Sequence, residues 1–260
     1  MLPAPVRAGI AGIAHGALEW LPVSSSGHTA LLIDAAGWPE ADPARARQLR
    51  TLEVALHTGS LLPLGLRVLA HLRTSDAPGR LVAGGVASTA ITSVVGAAAG
   101  PLIEERFAGP RAVAAGLVCG SVALLAAERV PARRGIAGLT ATDVVAVGLA
   151  QGAAIWPGTS RRAATLAAAR ARGLHSEAAD ALSWAAGLPT LLGATTWQGY
   201  RDRSALGAAA GTVVAGAATS AATGLLTRAL PDRTRRWPAA AWAAWRLTLA
   251  AATLQRARRR

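Results

Sequence analysis

Three stretches without a charged side chain, residues 81–103, 181–200 and 204–227, set the first constraint on this chain. At 1.5 Å of rise per residue each makes a helix about long enough to cross a hydrocarbon core roughly 30 Å thick. Charged residues are only 16% of the 260, and mean hydropathy is +0.34, so a soluble protein with this much uncharged sequence is the poorer solution. A bilayer admits only structures that satisfy their own backbone, and runs of this length do so as helices. The expectation is an all-α, polytopic membrane protein forming one domain over 1–260.

Charge fits that class. The net charge is +13 and all 27 basic residues are arginine. They fall between apolar segments and at the tail, in Arg256, Arg258, Arg259 and Arg260, where they suit lipid headgroups. Trp38, Trp197 and Trp237 lie near segment ends, as interfacial belts require. No basic face interleaved with aromatics occurs, so no nucleic-acid partner is expected. Cys119 stands alone, which excludes a disulfide framework and a thiolate metal site. No cleavable signal peptide is expected, because the first apolar stretch carries His15 and Glu19.

The polar groups of the first half are concentrated in one place. His15, Glu19 and the run Pro22-Val23-Ser24-Ser25-Ser26-Gly27-His28 bring a carboxylate, two imidazoles and three hydroxyls into fourteen residues. Pro22 disfavours the α conformation before it, and the serines are good N-caps for a following helix. Exposed N–H groups at a helix start, with hydroxyls beside them, make an anion site suited to phosphate. His15 and Glu19, four apart, share a helix face.

The same pattern recurs. Gly12-Ile13-Ala14-His15-Gly16-Ala17 returns as Gly148-Leu149-Ala150-Gln151-Gly152-Ala153, and Pro22-Val23-Ser24-Ser25 as Pro157-Gly158-Thr159-Ser160, with one residue deleted between the matches. The second copy continues into Arg161 and Arg162. Residues 8–18 and 144–156 are too short to cross a membrane, so each is expected as half of a re-entrant hairpin, returning through 30–38 and 163–171. Residues 39–48 are expected as a polar connection. Full spans are expected at 52–72, 81–103, 112–127, 178–198, 204–227 and 237–254. Three spans between the hairpins make the repeat inverted, with halves of about 1–127 and 143–260 and the two tips meeting near mid-membrane. Glu53 and His57 lie on one face of the first span, and an ionisable pair there is a functional candidate.

Glu19-Trp20-Leu21-Pro22-Val23-Ser24-Ser25-Ser26-Gly27-His28, with Trp156-Pro157-Gly158-Thr159-Ser160-Arg161, resembles the undecaprenyl-diphosphate phosphatase family associated with bacitracin resistance. Leu52-Glu53-Val54 with Gly59-Ser60, Gln151 and the stretch around Pro189 extend the resemblance over nearly the whole chain. It implies hydrolysis of the terminal phosphate of a polyprenyl diphosphate lipid in the bacterial plasma membrane, recycling the carrier for peptidoglycan synthesis. It implies Glu19, Ser25, His28 and Arg161 as catalytic residues, with His28 as the first candidate nucleophile and Ser25 as the second. His15, Ser24, Ser26, Gly27, Glu53, Gln151, Gly158, Thr159 and Ser160 are expected to bind substrate. A divalent cation, Mg²⁺ or Ca²⁺, would draw on Glu19. A homodimer is the expected assembly. The chain departs from the family pattern at His15, His57 and Arg162. A transporter or flippase for an anionic lipid, or a catalytically impaired homologue, are the rival expectations.

Overall fold

The computed structural model describes residues 3–35, 43–107 and 109–258. The described residues form helices and turns with no strand. In order these are α1 (Ala4–Leu18), α2 (Ser25–Ala35), α3 (Pro43–Thr74), α4 (Pro78–Arg106), α5 (Pro110–Glu128), a 3₁₀ turn at Ile136–Gly138, α6 (Ala141–Ala153), α7 (Arg161–Ala171), α8 (Ser176–Arg201), α9 (Arg203–Ala208), α10 (Ala210–Leu226), α11 (Leu230–Thr234) and α12 (Ala239–Arg258). Among the described residues three segments are long and apolar enough to cross a membrane, Arg50–Thr74, Pro78–Ile103 and Pro110–Glu128. Val86 and Val94 of α4, Val122 of α5, Leu149 of α6 and Leu192 of α8 are exposed, the inverse of a water-soluble surface.

The expected half-length helices are present. α1 has 15 residues and α6 has 13, roughly 20 Å each. Each leads through a turn into an 11-residue helix, α2 or α7. Two expectations need correction. Residues 204–227 are not one helix: the chain breaks at Ala209, between Gly207 and Gly211, whose backbones resist helix most, leaving a 17-residue α10. Residues 43–48, expected in a connection, already belong to α3. Residue Trp38 and the rest of 36–42 lie outside the described residues, as do Arg259 and Arg260.

Helix packing follows a repeated scheme. α1 lies against α10 as α6 lies against α4, α3 packs on α10 as α8 packs on α4, and α5 and α12 pack on each other. Small residues permit these contacts. A Cβ on Gly12 or Gly16 would collide with the α10 backbone at Gly216 and Ser220, and one on Gly148 would collide with the Ser88 carbonyl of α4. Such close approach replaces the hydrophobic drive that helices lack inside lipid. The largest buried cluster, Trp20, Leu21, Val23, Leu124, Ala163, Trp184, Leu191 and Trp242 among its members, gathers around the two turns.

Polar anchors fix the corners. Arg134 donates to both oxygens of buried Asp143 at 2.7 and 2.9 Å, and Arg172 Nε donates to the same carboxylate at 3.0 Å, tying the loop before α6 to the end of α7. Arg67 of α3 forms a bidentate pair with Asp232 at 2.6 and 2.7 Å.

The packing argument is tested at Gly16. Gly16→Leu places a side chain against the Ser220 carbonyl and lowers the unfolding free energy of purified protein by about 1–3 kcal/mol. Gly65→Ala, with nothing within 4 Å of the added carbon, leaves stability unchanged or slightly raised. Equal melting temperatures for Gly16→Leu and the parent would contradict it.

Candidate active site

The turns after α1 and α6 are built alike. Ser24 and Ser160 precede α2 and α7 with φ of 71° and 65°, a left-handed backbone sparsely populated by any residue but glycine. Each caps its helix, accepting the N–H three residues on: Gly27 to Ser24 Oγ at 3.2 Å, Ala163 to Ser160 Oγ at 3.3 Å. Residues 24 and 160 are 136 apart, as are His15 and Gln151, Gly16 and Gly152, and Trp20 and Trp156. The structure thus corrects the repeat alignment: no residue is deleted, Ser24 rather than Ser25 corresponds to Ser160, and Ser25 corresponds to Arg161. The shared feature is the left-handed cap, which the run of hydroxyls obscured.

Ser25 and Arg161 are therefore the first residues of equivalent helices, and both reach Glu19. The Ser25 hydroxyl donates to Glu19 Oε2 in a short hydrogen bond, and Arg161 Nη2 donates to Oε1 at 3.0 Å. Glu19 caps the end of α1, where its position one turn past His15 puts its carboxylate 3.8 Å from His15 Nε2. The Arg161 guanidinium occupies space left by Gly187 of α8, where a Cβ would displace Nη1. Nη1 itself is buried with no hydrogen-bond partner.

These groups open onto a cavity of about 340 Å³, lined by Glu19, Ser24, Ser25 and Ser26 from the first turn and Gly158, Ser160 and Arg161 from the second. Glu53 and His57 of α3 and Thr195 and Gln198 of α8 complete its wall. Gly158 has φ 83° and sits on the Val113 carbonyl, so a side chain there meets both strain and collision. Two N-terminal helix turns, one arginine and several hydroxyls face one volume, an arrangement suited to a phosphate group beside a base.

Other residues expected at the site lie elsewhere. His28 does not line the cavity. Its Nδ1 donates to the Ser24 carbonyl at 2.8 Å, and its Nε2 accepts from Trp245 Nε1 at 2.9 Å, so both nitrogens are occupied. Gln151 is buried between α4 and α8, donating to Thr190 at 2.8 Å and Thr92 at 3.1 Å. Thr159 contributes its carbonyl to Arg246, and Gly27 contributes its N–H to the Ser24 cap. His15 stands behind Glu19, 1% exposed. Arg162 lines the cavity edge but pairs with Asp180 at 2.5 Å and stacks on Trp184, 3.7 Å from the ring centroid.

Arg246 is the residue that sequence reasoning missed. From α12, fully buried, it donates to the Pro22 carbonyl of the first turn at 3.1 Å and to the Thr159 and Gly158 carbonyls of the second at 2.9 and 3.3 Å. It also donates to Leu117 and Gly116 of α5, both at 3.2 Å. One guanidinium thereby staples both turns. The signal was a lone arginine amid an apolar helix, which is costly in a membrane unless it has such a task. Arg246→Met strands several buried carbonyls and lowers stability by about 3 kcal/mol or more, with Arg246→Lys intermediate. Thermal unfolding in detergent measures this, and a Met variant as stable as the parent would refute the staple.

Residues 8–252 match the family model described as bacitracin resistance protein BacA. A protein named undecaprenyl-diphosphatase from Verminephrobacter eiseniae (strain EF01-2) is 34% identical over 212 residues, covering 77% of this chain and 75% of that protein. Proteins of the same name from Novosphingobium aromaticivorans and Carboxydothermus hydrogenoformans are 31% and 32% identical, covering 77% and 71% of this chain and 76% and 69% of theirs. The matched region runs from α1 into α12 and includes both turns, and the chain belongs to the BacA bacitracin resistance family.

Proposed function

We propose that this chain is an integral membrane phosphatase that removes the terminal phosphate of undecaprenyl diphosphate. The product, undecaprenyl phosphate, returns to peptidoglycan synthesis, and the activity confers resistance to bacitracin. The observation that carries this reading is the Ser25–Glu19–Arg161 constellation: a hydroxyl on a carboxylate, with a guanidinium whose second nitrogen lacks a partner. A phosphate entering the cavity meets the Arg161 guanidinium and brings phosphorus to the mouth of the two helices.

In this mechanism Ser25 Oγ attacks the terminal phosphorus while Glu19 accepts the hydroxyl proton. The bridging P–O bond breaks, polyprenyl phosphate leaves, and the phosphoryl group stays on Ser25. Water then attacks the same phosphorus, Ser25 recovers its proton through Glu19, and inorganic phosphate departs. Arg161 and the N-terminal turns of α2 and α7 neutralise the equatorial oxygens, where most of the barrier reduction in phosphoryl transfer arises. Ser25 is preferred to His28 because Trp245 occupies the His28 Nε2 lone pair. A cavity of about 340 Å³ holds a diphosphate but not a long isoprenoid. The tail runs outward past Leu191 and Ala194 of α8 to the exposed apolar side chains beyond.

The architecture we propose is an inverted duplication in the bacterial plasma membrane, with two re-entrant hairpins and six crossings. It is supported by the constant spacing of 136 residues, the twin left-handed serine caps and the reciprocal helix pairings. A carrier of anionic lipids shares such a fold, but needs no hydroxyl–carboxylate pair beside its arginine.

The test is phosphate release from polyprenyl diphosphate by purified protein in detergent. Ser25→Ala and Glu19→Gln each lower kcat by about 10²–10⁴-fold. Arg161→Lys keeps the charge, loses the fork and lowers kcat/KM by about 10²-fold or more. Absence of release by the parent protein, or full activity in Ser25→Ala, would overturn the assignment.

A further inference from the structure

One possible metal-ligand atom from each of His15, His57 and Glu19 converges at the floor of the cavity. His15 Nδ1 lies 3.3 Å from both Ser60 Oγ and Ser220 Oγ. Both serines also reach the Leu56 carbonyl, at 3.2 and 2.9 Å, and each other at 3.1 Å, and when both donate to that carbonyl their oxygens accept from His15 Nδ1–H. In that arrangement Nε2 is a bare lone pair, buried in a residue 1% exposed and without a hydrogen-bond partner. His57 donates from Nδ1 to the Glu53 carbonyl at 2.9 Å, which likewise leaves its Nε2 as an acceptor. The two rings stand edge to face with centroids 4.6 Å apart, and a ligand atom of each and of Glu19 lie within 4.8 Å of one another.

Three mutually facing lone pairs repel unless a cation lies between them. A proton joins two of the three at most. An ion at about 2.0–2.2 Å from each donor satisfies all three, and small rotations of His57, which is half-buried at the cavity wall, close the remaining distance. Arg161 holds Glu19 Oε1, which leaves Oε2, with a lone pair beyond the one Ser25 uses, for the ion. Serines and a backbone carbonyl orienting the far ring nitrogens are the support that imidazole ligands require. The donor set excludes the hard-cation expectation: Mg²⁺ and Ca²⁺ take oxygen shells, whereas two imidazoles and one carboxylate suit zinc and its neighbours.

We propose that His15, His57 and Glu19 bind one divalent transition-metal ion of the zinc class at the floor of the Ser25–Arg161 cavity. The site rests on the donor geometry alone. Only the ion's use, as positive charge for a diphosphate, rests on the phosphatase reading. Purified, tag-free protein in detergent, stripped with chelator and without substrate, is titrated with Co²⁺, whose visible absorption reports nitrogen and oxygen coordination, and then competed with Zn²⁺. The expected result is saturation at one ion per chain and displacement by Zn²⁺. His15→Gln and His57→Gln each weaken binding at least tenfold, and Ser220→Ala weakens it about tenfold through the ring it orients. His71→Gln, in α3 but away from the cluster, leaves binding unchanged. His57 is half-buried, so its variant remains informative if His15→Gln fails to fold. Absence of saturable Co²⁺ binding, or binding that survives His57→Gln unchanged, overturns the site. Phosphate release without metal binding would sink this site and spare the phosphatase reading, and metal binding without phosphate release would do the reverse.

Discussion

A single carboxylate joins the two halves of this protein. Glu19 ends the first half-helix, accepts from Ser25 at the start of the helix that follows, and accepts from Arg161 at the equivalent start in the other half. A carboxylate and a guanidinium this withdrawn from water are each expensive alone, and breaking such a pair by removing one partner costs several kcal/mol. Each half thus presents a group that is tolerable only in the presence of the other. In the proposed mechanism binding and catalysis use the same pair, because a phosphate that engages Arg161 meets the carboxylate and hydroxyl on its far side.

The turns that carry these groups are irregular backbone, which is stable away from water only where protein satisfies it. Here Arg246 does so, giving its donors to carbonyls of both turns and of α5. Glycine at the helix contacts lets α1 and α6 pack backbone to backbone on α10 and α4, so each half-helix that aims a turn is held by a longer helix. Rigid support of this kind is what places a hydroxyl, a carboxylate and a guanidinium in reach of one phosphorus atom.

Much of this was legible in the residues. Apolar runs declared helices, Pro22 and the serines declared the turn, and the echo of Gly12 and Gly16 in Gly148 and Gly152 declared a second one. Ser25, Glu19 and Arg161 stood out because polar groups inside an apolar chain need a purpose. The residues that stand apart from the cavity do so for local reasons. His28 is bound back onto its own helix through the Ser24 carbonyl, a bond that no spacing rule reveals. Gln151 matches His15 in the repeat, yet the helices around it are α4 and α8 rather than α3 and α10, so it meets threonines instead of imidazoles. The hydroxyl run of the first turn hid the true register because the matching feature is a backbone dihedral. Arg246 was overlooked because its partners are carbonyls, which every residue has, rather than a carboxylate that a sequence would display.

The claim on which the account turns is that Glu19 and Arg161, from separate halves, act as one unit on one substrate. A double-variant cycle on kcat/KM for polyprenyl diphosphate, built from Glu19→Gln, Arg161→Lys and the two combined, measures that coupling directly. The account predicts strong non-additivity, with the double variant within about threefold of the worse single variant. Losses that simply multiply would place the two residues in independent roles and contradict the shared site.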